Sequence, residues 1–76
     1  MITTLYFIKD KTKAKILEIR SGRRARSRLE ALGLTYGEII EKVSSLEGGP
    51  ILIKVRESVI ALGRGEALKV YVEVSE

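Results

Sequence analysis

The chain has 76 residues, no cysteine, no histidine, a net charge of +4 at neutral pH, and 45% hydrophobic against 32% charged residues. That length fits a single domain, residues 1–76, and a chain so short buries only about 60% of the surface its unfolded form exposes. The missing residue types exclude a disulfide, a Ser-His-Asp or Cys-His nucleophile and a buried structural zinc site, so neither an enzyme nor a metal or other cofactor is expected.

Thr3–Ile8 is β-rich and predicts a first strand, and Lys9–Thr12 a turn. Lys13–Arg20 alternates, with Ala14, Ile16 and Ile19 against Lys13, Lys15, Glu18 and Arg20; the phase slips near Leu17, as a bulge or sharp bend requires. Ser21 is an N-cap candidate for a helix over about residues 22–33. Ala25, Leu29 and Leu32 form a narrow apolar stripe at helical spacing, opposite Arg23, Arg26, Ser27 and Glu30 and flanked by Arg24 and Arg28. Gly33 stands where a left-handed residue ends a helix, and Leu34 can fold back onto the last turn. Three turns are too few to stand without packing on a sheet.

Glu38–Ser44 is again β-patterned, Glu47-Gly48-Gly49-Pro50 marks a hairpin loop, and Ile51–Arg56 places Ile51, Ile53 and Val55 on one face. Glu57-Ser58 is expected as a tight connection into Val59–Leu62. Gly63–Ala67 reads as a turn or one helical turn; it lacks the spacing of a phosphate loop. Leu68–Val74 closes the chain with Leu68, Val70, Val72 and Val74 on one face. The fold class is therefore mainly β, five to six short strands with one helix inserted after the second. Short strands with glycine-rich turns favour a barrel, because open edges invite aggregation. An SH3-like barrel with the helix over one opening is the expected architecture, and an OB-like barrel the alternative.

Charge is uneven. Lys9–Arg28 holds nine basic and two acidic residues, a net of +7, and the remainder sums to −3. Such a block suits an acidic partner surface, nucleic acid or anionic lipid. Aromatic side chains that could stack on bases are few and dispersed (Tyr6, Phe7, Tyr36, Tyr71), which favours protein over nucleic acid. The charged, cysteine-free composition resembles that of thermophile proteins. No apolar run approaches the roughly 18 residues of a membrane span, and the apolar start lacks the basic flank of a signal peptide, so a cytoplasmic location is expected.

Three blocks in order carry a family resemblance. Arg28-Leu29, Leu32-Gly33-Leu34 and Gly37 fit the first; Gly48, Pro50, Ile51, Ile53 and Val55 the second; Ile60, Ala61, Leu62, Ala67, Val70 and Val72 the third. Together they resemble FeoA, the small SH3-like accessory family of bacterial and archaeal ferrous-iron transport. The chain departs from the family pattern at Tyr36, where proline is usual, and at Lys11, where glycine is favoured. A similar fold forms the C-terminal domain of DtxR-type metal-dependent repressors. The resemblance implies a non-enzymatic protein that works with FeoB, a membrane transporter with a cytosolic GTP-binding domain. The alternatives are a basic nucleic-acid-binding barrel and a stand-alone relative of the repressor domain. The expected partner contacts are Arg23, Arg24, Arg26, Arg28, Leu34 and Tyr36. The expected structural positions are Leu29, Leu32, Gly33, Gly37, Gly48, Gly49 and Pro50. A monomer or weak homo-oligomer is expected.

Overall fold

A computed structural model describes residues 1–75. Its elements are β1 (Ile2–Thr4), β2 (Thr12–Ile19), α1 (Arg23–Ala31), β3 (Ile39–Ser45), β4 (Ile51–Val55), β5 (Ser58–Leu62), α2 (Arg64–Ala67) and β6 (Val70–Glu73). The strands form one antiparallel, 6-stranded sheet in the order β1-β6-β2-β3-β4-β5. Its inward side chains meet in one aliphatic core that includes Ile16, Ile40, Ile53, Leu62 and Val72. A sheet that buries one face against itself must curl, and the bulges are where it does so. The β2–β6 register shifts between Ile16 and Glu18, so the residue between them, Leu17, is the predicted slip. Because of it, Ile16 and Ile19 both reach the core despite their odd spacing. A second shift, between Lys42 and Ser44, bends β3 against β4.

Most strands follow their alternation. Ile51, Ile53 and Val55 are buried, as are Val70 and Val72, and Glu47–Pro50 makes the β3–β4 loop. The first strand is shorter than predicted. β1 ends at Thr4, and the chain turns through Leu5–Phe7, with Leu5 and Ile8 buried. Their spacing of three suits a turn that drops two side chains into the core, which overrides local β propensity. The Glu57-Ser58 connection shifts by one residue: Ser58 pairs with Val55, and Arg56-Glu57 make the turn, with Arg56 at φ 56°. Leu68 precedes β6 and is exposed, outside the predicted alternation.

α1 also differs at its ends. Its N-cap is Gly22, not Ser21, because the Gly22 carbonyl accepts the first helical bond, from the Arg26 N–H at 2.9 Å. The helix stops at Ala31 and closes in a Schellman motif: Gly33 N–H donates to the Glu30 carbonyl at 3.0 Å and Leu34 N–H to the Leu29 carbonyl at 3.1 Å. Gly33 has φ 108°, and a Cβ there would lie 2.8 Å from Val55 Cγ1, so the position needs glycine for both backbone and space. Leu32, predicted in the core with Leu29, is 43% exposed, whereas Leu29 is 1% exposed. The stripe is narrower than its spacing suggests, since α1 meets the sheet through Leu29 and, beyond its end, Leu34.

Candidate partner-binding surface on the basic helix

Because α1 is held mainly by Leu29, with Ala25 half-buried beside it, most of its circumference faces outward. Arg23, Arg24, Arg26 and Arg28 are all exposed. Among the described residues, Arg23, Arg24 and Arg26 make no ion pair. Arg28 pairs with Glu66, whose carboxylate also accepts a hydrogen bond from the Gly63 N–H at 3.2 Å. Glu66 thus caps α2 and ties α1 to it, which leaves Arg28 largely a positioning residue.

Past the helix, Thr35–Glu38 form a turn closed by the Glu38 N–H on the Thr35 carbonyl at 3.1 Å, with Gly37 at φ 87°. This is the type II geometry, which requires a positive φ at its third residue. It lifts Tyr36 off the surface to 76% exposure. Leu34, predicted as a contact, is 0% exposed and is removed from that set: the Schellman closure swings it into the core. Between β2 and α1 lies a groove of about 170 Å³ with Ile16, Ile19 and Leu34 beneath it and Arg26, Glu30 and Tyr36 around it. Gly48, Gly49 and Pro50 sit in the β3–β4 loop and do not line this groove.

Two features escaped the sequence reading. The outer face of the sheet carries a groove of about 240 Å³ around Ile39, flanked by Lys13, Lys54 and Arg56 and by Glu38 and Glu41. Lys13, Glu41 and Lys54 stand in one cross-strand row, opposite charges adjacent, so Glu41 offsets part of the positive charge of this face. The second feature is Lys42, only 2% exposed, whose ammonium donates to the carbonyls of Tyr6 (2.9 Å) and Ile8 (2.8 Å). Burial lowers its pKa, and the charge of Asp10 works against that shift. The signal was available: Lys42 stands two residues after the core residue Ile40, hence on the same face of β3.

Guanidinium forks on an exposed helix can grip carboxylates or phosphates in bidentate fashion. Among the described residues, no group of three or more acidic side chains gathers to hold a metal ion. No helix among them is long and apolar enough to cross a membrane.

The fold and surface define a small SH3-like β-domain carrying an inserted basic helix. The FeoA domain profile matches residues 3–74, and the chain belongs to the FeoA family. A relative from Methanocaldococcus jannaschii, named as an Fe(2+) transport protein A, is 36% identical over 72 residues, covering 95% of this chain and 87% of that one. The structure of Stenotrophomonas maltophilia FeoA complexed with zinc, described as a procaryotic SH3 domain protein, superposes with a TM-score of 0.83 at 28% identity, over 93% of this chain and 89% of that one. A manganese-dependent transcriptional repressor shares the fold, with a TM-score of 0.87 at 14% identity, over 97% of this chain and 42% of the repressor. The SH3-like expectation therefore holds over the OB-like one.

Proposed function

We propose that this chain is an accessory protein of ferrous-iron uptake that docks through α1 and Tyr36 on the cytosolic GTP-binding domain of an FeoB-type membrane transporter. Family membership supports the iron-transport setting, and the name of the archaeal relative agrees with it. The observation that carries the docking surface is a helix with three exposed arginines that make no ion pair among the described residues, beside a tyrosine that is 76% exposed. An aromatic anchor next to arginines is a combination common in the energetic centres of protein interfaces. Arg28 contributes by fixing α1 against α2 rather than by contact.

The test is binding of the protein to an immobilised FeoB-type GTP-binding domain. Arg23→Glu/Arg26→Glu is expected to weaken binding by at least about tenfold, mainly through the association rate. Tyr36→Pro removes the ring while suiting the second position of its turn, and is expected to weaken binding without loss of stability. Unchanged binding by both variants rejects this surface. Tight binding of arbitrary single-stranded RNA, lost between low and moderate salt, would instead support the nucleic-acid reading.

A further inference from the structure

We propose that the β5 edge is a self-pairing surface, through which two copies of this chain associate antiparallel into a symmetric dimer. The inference is independent of the α1 surface. Among the described residues β5 pairs only with β4, which leaves the other side of its backbone open there. The two-residue turn at Arg56-Glu57 makes Val55 and Ser58 the closing, hydrogen-bonded pair of the hairpin. Alternation along an antiparallel ladder then directs the N–H and C=O of Ser58, Ile60 and Leu62 toward β4, and those of Val59 and Ala61 outward. Among the described residues, no other backbone group bonds to these outward ones.

Edge strands are ordinarily defended by charge, proline, a bulge or brevity. β2, β3, β4 and β6 all carry charged residues although they are interior, whereas β5, Ser-Val-Ile-Ala-Leu, has none of these defences. The other edge, β1, spans 3 residues, and the amino terminus next to it is occupied with the Val74 carbonyl. Val59 is 56% exposed, and Ala61 is exposed beside it.

One register satisfies the open edge of both copies. With Ile60 opposite Ile60 on the two-fold axis, each Val59 faces Ala61 of the other copy. Each Val59 N–H then donates to that Ala61 carbonyl, and each Ala61 N–H to the Val59 carbonyl. Side-chain sense agrees: Val59 and Ala61 meet on the outer face, and Ile60 meets its equivalent on the inner face. A shift by one residue sets outward groups against inward ones. The same register sets Glu57 of one copy opposite Gly63 of the other and Arg56 opposite Arg64, whose guanidinium already lies over the Tyr6 ring, 5.6 Å from its centroid. Arg56, at that end too, is already engaged by Glu38 at 3.3 Å.

Sedimentation velocity from about 10 µM to about 1 mM tests this, the range in which interfaces smaller than standard associate. The wild-type protein is expected to pass from one chain mass to two. The amides of Val59 and Ala61 are expected to exchange more slowly at the high end of the range. Ala61→Pro removes an outward donor and leaves the β4 ladder intact, and Val59→Lys adds edge charge. Each is expected to weaken dimerisation by at least about tenfold, with an unchanged far-UV spectrum reporting the fold. A single chain mass across the range, or a dimer unaffected by both substitutions, overturns the proposal.

Discussion

Lys11 and Tyr36 occupy turn positions whose backbone geometry favours other residues, glycine and proline, respectively. Lys11 has φ 67°, in the left-handed region that costs a side-chain-bearing residue roughly 1–2 kcal/mol. Lys11→Gly relieves that strain and adds about 0.5–1 kcal/mol of chain entropy cost, so a net gain between about 0 and about 1.5 kcal/mol is expected, read as a melting temperature unchanged to several degrees higher. A lower melting temperature contradicts the strain argument. Lys42 presents the opposite case, a charged side chain in a site of low polarity whose two carbonyl partners order the Tyr6–Ile8 turn. Lys42→Met leaves those carbonyls without their donor, at an expected cost of about 1–3 kcal/mol. The pH dependence has a definite sign. Below the lowered folded pKa, both folded and unfolded states hold the proton. Between that value and the ordinary lysine value of 10.5, the folded state releases it first, so the unfolded state binds more protons and stability rises with pH. The stability gap between wild type and Lys42→Met is therefore expected to widen as pH rises through this window, which urea unfolding at alkaline pH measures. A gap that narrows there contradicts burial of the charged form.

At the scale of elements, α1 is seated in the core by Leu29, tied to α2 through Arg28 and closed by the next turn. Leu29→Ala removes the side chain that seats the helix, and about 2–5 kcal/mol is expected for a large-to-small change at a site 1% exposed. Leu32→Ala, at 43% exposure, is expected to stay within about 0.5 kcal/mol. Urea midpoints compare the two directly, and equal costs would mean that α1 packs on a wider face than the one described. The element order was legible because periodicity is local: the clean alternation of Ile51–Val55 and the Leu-Gly-Leu helix stop both emerge as read. The first strand and the helix start were not. Tyr6, Phe7 and Ile8 are strand formers by propensity, but burial of Leu5 and Ile8 and the ammonium of Lys42 on the Tyr6 and Ile8 carbonyls go with a turn there. Ser21 has the right chemistry for a cap, but the helical bonds begin one residue later.

Over the whole molecule, the fold gives basic residues of the +7 block different surroundings. Lys13 is placed beside Glu41 in a cross-strand row on the outer sheet face, while Arg23, Arg24 and Arg26 make no ion pair among the described residues. Docking by these arginines is expected to weaken with added salt, because exposed charges separated by more than about 8–10 Å are largely screened at physiological ionic strength. The candidate surface was half legible. Its arginines follow from sequence, but the exclusion of Leu34, the reassignment of Arg28 to Glu66 and the projection of Tyr36 depend on how the chain turns after α1. The β5 edge was invisible for a similar reason. An uncharged strand is unremarkable until the topology leaves it with one neighbour.

The sequence by itself determined the family, the mainly β class, the single basic helix and most inward positions, since each rests on residue type and short-range spacing. Tertiary structure decided which apolar residues of α1 touch the core, which lysine is buried, and which strand has an open side. Those depend on contacts between segments distant along the chain, and no local period encodes them.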